Sequence, residues 1–514
     1  MNPGGRFHHL QGGGRVPATG HQRGTWQRPW RRSDSVAEQI PQLLHALPDL
    51  ANIINSDRRN RLIQRMKALV LLVIAAVAVQ AQTFTTLVNF AGPNGRQPDY
   101  GALVQGVDGD FYGTTALGGE YQYGTVFLVT PQGGLKRLHS FDNSDGGFPN
   151  NGLLEIVGGL LYGTTRVGGA NGRGTIYSMW PGGGYFTTLQ SFDVGDGVKP
   201  FAGLIQSFEG SLYGTSDGGG AWGYGTIFSM SFGGALNTVF SFNIVDGIGP
   251  YSTLMQASNK TIYGTTCGSG GSGNYGSIYT VDSSDAFATL LSFNYTDGAY
   301  PYGALVQASD GNLYGTTQAG GAYDHGTIFR MTTSGSLTTL HSFHYSDGSA
   351  PFGALVQGTD GSFYGTTTKG GAGGRGTIFQ MTLAGVFTTL HSFGGGDGAT
   401  PSGGLVQGTD GAFYGMTVAG GANDDGTVFR LSTGLGPFVR LLPSFGPQGT
   451  SVDILGTDLT GVTSVSFNGV PASYITPISS TAFKVAVPYG ATTGPVQVIT
   501  PGSTLTSNAL FQIP

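Results

Sequence analysis

Nine side chains recur at one kind of place, the loop tip between two short apolar segments: Tyr121, Tyr123, Arg173, Trp222, Tyr224, Tyr275, Tyr323, His325 and Arg375. Flat aromatic faces and guanidinium groups of this sort recognise glycan or protein surfaces. The same variation also fits tips that nothing constrains, and the sequence leaves both readings open. His139, His341 and His391 recur at one position in three different units, with Gln190 at the matching place in another, so they read as outer-strand surface positions and not as a shared metal site. The Asp-Gly pairs at Asp145, Asp196, Asp246, Asp297, Asp347 and Asp397 could hold calcium. Each unit supplies only one or two acids, however, where a calcium loop needs a dense set, so turn residues are expected. No cofactor or metal is expected.

The glycine-rich loops lack the following helix and lysine that a phosphate loop requires. Paired carboxylates for glycoside hydrolysis need two acids converging within about 10 Å. No unit carries a Glu that reads as buried and unique, and Glu209 replaces a turn Asp. A nucleophile-elbow motif is also missing.

The tips are carried by a repeat. Tyr-Gly recurs at Tyr112, Tyr162, Tyr213, Tyr263, Tyr314, Tyr364 and Tyr414, at spacings of 50 or 51 residues. That period belongs to repeat architectures with four strands per unit. Each unit offers four short β-branched or aromatic runs bounded by Gly, Asp-Gly or Pro. In one unit these are Gly303–Gln307, Leu313–Thr317, Gly326–Met331 and Leu337–Phe343, with Asp310-Gly311 turning the first into the second. The recurring Tyr reads as a packing residue.

Counting fixes the topology. The third run starts seven times, at Gly124, Gly174, Gly225, Gly276, Gly326, Gly376 and Gly426. The fourth ends only six times within the repeats, at Phe141, Phe192, Phe242, Phe293, Phe343 and Phe393. Its seventh copy is Thr83–Phe90, ahead of the first unit. A circular array in which the N-terminal strand completes the last unit leaves no open edge. The expected fold is all-β: a seven-bladed β-propeller over 82–437, closed by that strand, followed by an immunoglobulin-like β-sandwich over 438–514. The loops between second and third strands then share a rim with the unit-to-unit crossovers such as Ser346–Pro351, where function on such scaffolds resides.

Composition agrees. Gly is 92 of 514 residues, against the ~7% of ordinary proteins. Aromatics at 11% and glycines held at fixed places argue for ordered turns over disorder. The net charge of −5 combines an Arg-rich segment 1–65 with an acidic remainder, which argues against nucleic acid as partner. The single Cys267 excludes an intramolecular disulfide and a cysteine zinc cluster. Residues 1–65 read as an unstructured extension, or as an over-extended gene model with Met66 as initiator. Arg65-Met-Lys67, the apolar run Ala68–Val79 and Val79-Gln-Ala81 make a signal peptide over 66–81, cleaved near Ala81. Twelve apolar residues are too few to cross a bilayer, so no transmembrane segment is expected in the mature chain.

With those residues in hand, two resemblances follow. Tyr-Gly-Thr-Thr-x-x-Gly-Gly…Gly-Thr-Ile-Phe resembles the GloVer-type tandem repeat of bacterial exported proteins. Pro443-Ser-Phe-Gly-Pro-Gln-Gly-Thr450, Val465-Ser-Phe-Asn-Gly-Val470, Phe483-Lys-Val-Ala-Val-Pro488, Gly494-Pro-Val-Gln-Val-Ile499 and Ala509–Ile513 resemble an IPT/TIG domain. The resemblance implies extracellular display, secreted or at the cell surface, with no established activity for the repeat. The expected function is a non-enzymatic, monomeric binding scaffold for a glycan polymer or a protein, using one propeller rim. The alternatives are a polysaccharide-active propeller enzyme and a purely structural envelope or matrix protein.

Overall fold

The computed structural model describes residues 82–98, 100–268 and 273–513. The 1–65 extension and the 66–81 signal peptide lie outside the described residues. The described chain is all-β, built of four-stranded antiparallel sheets, one of them widened to five by Val198–Pro200.

Each repeat folds into one sheet. In the sixth, Val356–Gln357, Phe363–Thr367, Thr377–Met381 and Phe387–Ser392 pair in that order. The repeat motif is explained by what it buries. Thr367 Oγ1 lies 2.8 Å from Thr377 Oγ1, and these hydroxyls also reach the Lys369 and Asp347 carbonyls. The equivalent pair, Thr or Ser, joins the second and third strands in every sheet. Two fully buried hydroxyls therefore satisfy each other and the backbone, which burial demands. Gly365, between Tyr364 and Thr366, leaves room for a neighbour: a Cβ there would sit 2.6 Å from Phe379 Cζ. Tyr364 is buried as expected, and its hydroxyl also reaches the turn carboxylate of Asp360 at 3.0 Å.

The expected strand positions hold with two differences. Only Val306–Gln307 of the first run is paired, because Gly303–Leu305 still belongs to the crossover. In the C-terminal segment, Ala509–Ile513 makes isolated bridges, and the terminal strand of its sheet is Thr504–Thr506.

Thr83–Asn89 pairs antiparallel with Thr427–Ser432, giving a sheet with Val406–Gln407 at the opposite edge. Apolar clusters join consecutive sheets, for example Ile328 and Phe343 with Phe363 and Phe379. One such cluster also joins the seventh sheet to the first, through Phe90, Tyr414 and Met416 against Leu103, Phe111 and Phe127. A second link crosses the same junction. The Thr409 N–H donates to Gln105 Oε1 at 3.0 Å, as the Ser309 and Thr359 N–H groups do to Gln357 and Gln407 between other neighbours.

The C-terminal segment forms two sheets, one of Val439–Leu442, Ser451–Gly456, Ala482–Ala486 and Thr476–Pro477, the other of Val470–Pro471, Ser464–Phe467, Val496–Ile499 and Thr504–Thr506. Alternating residues from both, including Val452, Ile454, Phe467, Phe483 and Val498, bury one core between them. This domain rests on the turns that join first and second strands. Ser479 and Thr481 hydroxyls donate to the Val107 carbonyl, the Gly158 N–H donates to Asp453 Oδ2 at 2.8 Å, and Phe445 packs on Phe208.

Candidate binding rim and central cavity

All nine tip residues lie in the loops between second and third strands, on the edge of the sheets that also carries the crossovers. They divide into two kinds. Tyr123, Arg173, Tyr275, His325 and Arg375 precede the glycine that opens the third strand. Their carbonyls accept N–H groups of the next crossover, from Phe148, Lys199, Tyr300, Ala350 and Thr400. That pins the backbone, and Tyr123, Tyr275 and His325 are half-buried. Tyr121, Trp222 and Tyr323 are exposed, Trp222 by 65% and Tyr323 by 56%; Tyr224, Arg173 and Arg375 are exposed as well.

The structure brings some tips together and leaves others apart. Tyr275 packs on Tyr295, whose hydroxyl donates to Asp324 in the next tip. Tyr323 meets the His344 ring edge-on at 5.2 Å, His325 packs on Tyr345 at 5.5 Å, and a Cβ at Gly374 would lie 3.7 Å from the Tyr345 hydroxyl. A strip of three separate ring pairs thus runs over the tips of the fourth to sixth repeats. Tyr121, Trp222 and Arg173 stand outside it. Tyr295, His344 and Tyr345 are absent from the sequence-derived set. Their signal was an aromatic just after the fourth-strand Phe, present in only these two crossovers.

The histidines are outer-strand residues as expected, each stacked on an aromatic ring of the following sheet: His139 on Phe186, His341 on Phe387 and His391 on Phe84, at 3.8–4.0 Å. Each faces its own turn carboxylate, His139 to Asp145 at 2.7 Å and His391 to Asp397 at 2.8 Å. The turn carboxylates also accept a backbone N–H three residues back, as Asp297 does from Asn294 and Asp347 from His344. These are the contacts of turn residues. Among the described residues no group of three His, Cys, Asp or Glu side chains is placed to hold a metal.

A second feature escaped the sequence altogether. The residue at the start of five inner segments is aromatic, and the five rings touch in a closed cycle. Tyr100 meets Phe201 and Phe352, Phe201 meets Tyr251, Tyr251 meets Tyr302, and Tyr302 meets Phe352, at 4.3–5.7 Å. Asn150 and Ser402 occupy the two matching positions without an aromatic. The collar borders a cavity of about 320 Å³, walled by Ala102, Leu103, Gly203, Leu204, Ala304 and Ala354 among others, and reached from the C-terminal domain by Arg440.

Arg440 also overturns one expectation, that no repeat carries a unique buried Glu. Glu155 stands where the other repeats have Gln, and its side chain is fully buried. Its Oε1 accepts the Val107 N–H at 2.9 Å, as the Gln residues do for their own neighbours, but its Oε2 faces Arg440 Nη2 at 3.4 Å. Burial pushes its carboxyl up to about 7, against the pull of the Arg440 charge. The substitution looked neutral in sequence because its partner lies in another domain.

The chain belongs to the Gloeobacter/Verrucomicrobia repeat family, whose model matches residues 73–279 and 266–474. Residues 438–513 match the IPT/TIG domain, an immunoglobulin-like module. No curated protein matches the chain. Among solved structures it is similar to a copper-bound fungal alcohol oxidase of the AA5 family, at 14% identity and TM-score 0.45, over 81% of this chain and 98% of that one. It is similar to the extracellular domain of BT4673 from B. thetaiotaomicron, at 13% identity and TM-score 0.46, over 83% of this chain. PorZ, a bacterial surface component of the Porphyromonas gingivalis type-IX secretion system, is similar at 14% identity and TM-score 0.44, over 83%. The chain spans 58% of BT4673 and 60% of PorZ. Among the described residues no helix is long and apolar enough to cross a membrane.

Proposed function

We propose that the seven repeat sheets close into a seven-bladed β-propeller over 82–437, capped on its turn face by the sandwich of 438–514. We propose further that this is an exported, non-enzymatic scaffold that binds a glycan polymer or a protein through its crossover rim. Closure is supported by the pairing of Thr83–Asn89 with Thr427–Ser432, by the apolar cluster between the seventh and first sheets, and by the five-ring cycle. Export rests on the signal-peptide pattern before Gln82.

The observation that carries the binding reading is the strip of Tyr275, Tyr295, Tyr323, His344, His325 and Tyr345. Rings tethered by neighbours lose little conformational freedom on binding, which makes them effective contact residues. The test is a binding screen of the purified protein against glycans and cell-wall polymers. A ligand lost on Tyr323→Ala or Tyr345→Ala, with folding intact, locates the site. Turnover of a glycan, abolished by changing one rim carboxylate, would replace this reading with the enzymatic one.

A further inference from the structure

The five-ring collar has one irregular member. In the second to seventh repeats the collar residue directly follows a proline: Asn150, Phe201, Tyr251, Tyr302, Phe352 and Ser402. The first repeat carries one residue more and reads Gln97-Pro98-Asp99-Tyr100. Among the seven described collar positions, only Tyr100 has a left-handed backbone, at φ +47°. A bulky side chain rarely tolerates that region, so the residue is strained.

The strained residue is also the one that completes the collar. Asn150 and Ser402 supply no ring on either side of it, and Tyr100 spans both places, meeting Phe201 at 5.1 Å and Phe352 at 4.7 Å. Its N–H donates to Ser402 Oγ at 3.3 Å. Every link of the cycle is then 4.3–5.7 Å between ring centroids. A pentagon with such sides has a radius of about 4 Å, and carbon atoms approach one another no closer than about 3.5 Å. The closed collar therefore passes no organic ring. The same five rings line the cavity of about 320 Å³, together with Ala102, Ala304 and Ala354, each two residues further along an inner segment.

We propose that Tyr100 is the movable leaf of an aromatic gate, closing the central cavity to small molecules and admitting them when its ring swings aside. This rests on the closed array of seven sheets proposed above, since only then do the five rings encircle one axis. Two ring contacts hold the leaf shut, while backbone strain favours its release. Opening therefore costs less than it would at an unstrained residue. Phe201, Tyr251, Tyr302 and Phe352 have no such strain and form the fixed frame. The space behind is at the lower end of small-molecule sites, so the gate serves a solute about one ring in size.

Thiol labelling of the purified protein tests this. Ala304→Cys puts a thiol on the cavity wall, and the neutral reagent methyl methanethiosulfonate is the probe. Peptide mapping separates its product from that of Cys267, whose thiol burial pushes up to about 12 and makes slow to react. Ala304→Cys alone should label slowly, and adding Tyr100→Gly should raise the rate at least tenfold. Glycine suits the left-handed backbone, so that change removes the ring without adding strain. Phe352→Ala, which removes one of the two contacts holding the leaf, should also speed labelling, whereas Tyr100→Phe should not. Thermal denaturation of the same samples confirms that each is folded. A slow rate in every variant overturns the gate while leaving the closed array standing. A fast rate in every variant overturns it too, and points to an open array or a second entrance.

Discussion

Glu155 and Arg440, 285 residues apart, form one of several contacts between the sandwich and particular turns of the repeat array. Gln105, Gln256, Gln307, Gln357 and Gln407 each bridge two neighbouring turns, accepting an N–H from one and donating to a carbonyl of the other. Glu155 has no N–H to donate and accepts Arg440 in its place. Nearly identical sheets offer nearly identical turn surfaces, so one Gln-to-Glu difference distinguishes one of them.

This contact gives a pH signature. Glu155 titrates near 7 when folded and near 4.5 when unfolded, so the folded state holds the extra proton between those values. Its contribution to stability is therefore fully present below about pH 4.5 and lost as pH rises through 7. The groups acting on it are Arg440, Asp108 and Asp453. Glu155→Gln should gain thermal stability relative to wild type as pH rises from 4.5 to 7. A difference between the two that is constant or shrinks over that range would refute this assignment.

Gly365→Ala tests the packing account of the Tyr-Gly motif. The backbone there is not left-handed, so the cost would come from the new methyl against Phe379 and Leu355. Overpacking of this kind costs about 1–3 kcal/mol. Urea denaturation should report a loss in that range, with Gly361→Ala, where a Cβ meets nothing within 4 Å, failing for a different reason, its φ of +78°.

Phe84→Ala tests the seam. The ring stacks on His391 at 3.8 Å and lies edge-on to Phe393. Truncating a packed Phe costs about 3 kcal/mol, here reduced because the ring is half-buried. A loss of at least ~1 kcal/mol in urea denaturation is expected. No measurable loss would mean that the N-terminal strand is not part of the cooperative fold.

At the rim the expectation reverses. Trp222→Ala and Tyr323→Ala remove exposed rings and should change stability by less than about 0.5 kcal/mol. Any loss of ligand in these variants then reports recognition. Thermal denaturation and the binding screen, run on the same samples, separate the two effects.

The fold was legible because each sheet repeats its own instructions: Thr-Thr and Gly-Thr pair their hydroxyls, and Tyr-Gly makes room for the third-strand aromatic. The seventh outer strand could be found by counting. The exposed tips at Tyr121, Trp222 and Tyr323 were legible as loop positions. The strip over three of the tips was not, because the crossovers of the other repeats carry no aromatic at the position of Tyr295 and Tyr345. The collar was hidden for a similar reason. Tyr100, Phe201, Tyr251, Tyr302 and Phe352 follow turn residues, and Asn150 and Ser402 interrupt the series. Glu155 carried no signal at all without Arg440 beside it.

The pairing of Thr83–Asn89 with Thr427–Ser432 has a consequence for the order of assembly. Six sheets are built from segments within about fifty residues of one another and can form as the chain emerges. The seventh needs a strand made some 340 residues earlier, and ends so far apart meet slowly. Until they do, Thr427–Ser432, reading Thr-Val-Phe-Arg-Leu-Ser, presents an unpaired edge, the kind of surface that recruits strands from other chains. The first of the described strands to be synthesised is then the last to be used, and the interval between those events is when the unpaired edge is most exposed to aggregation.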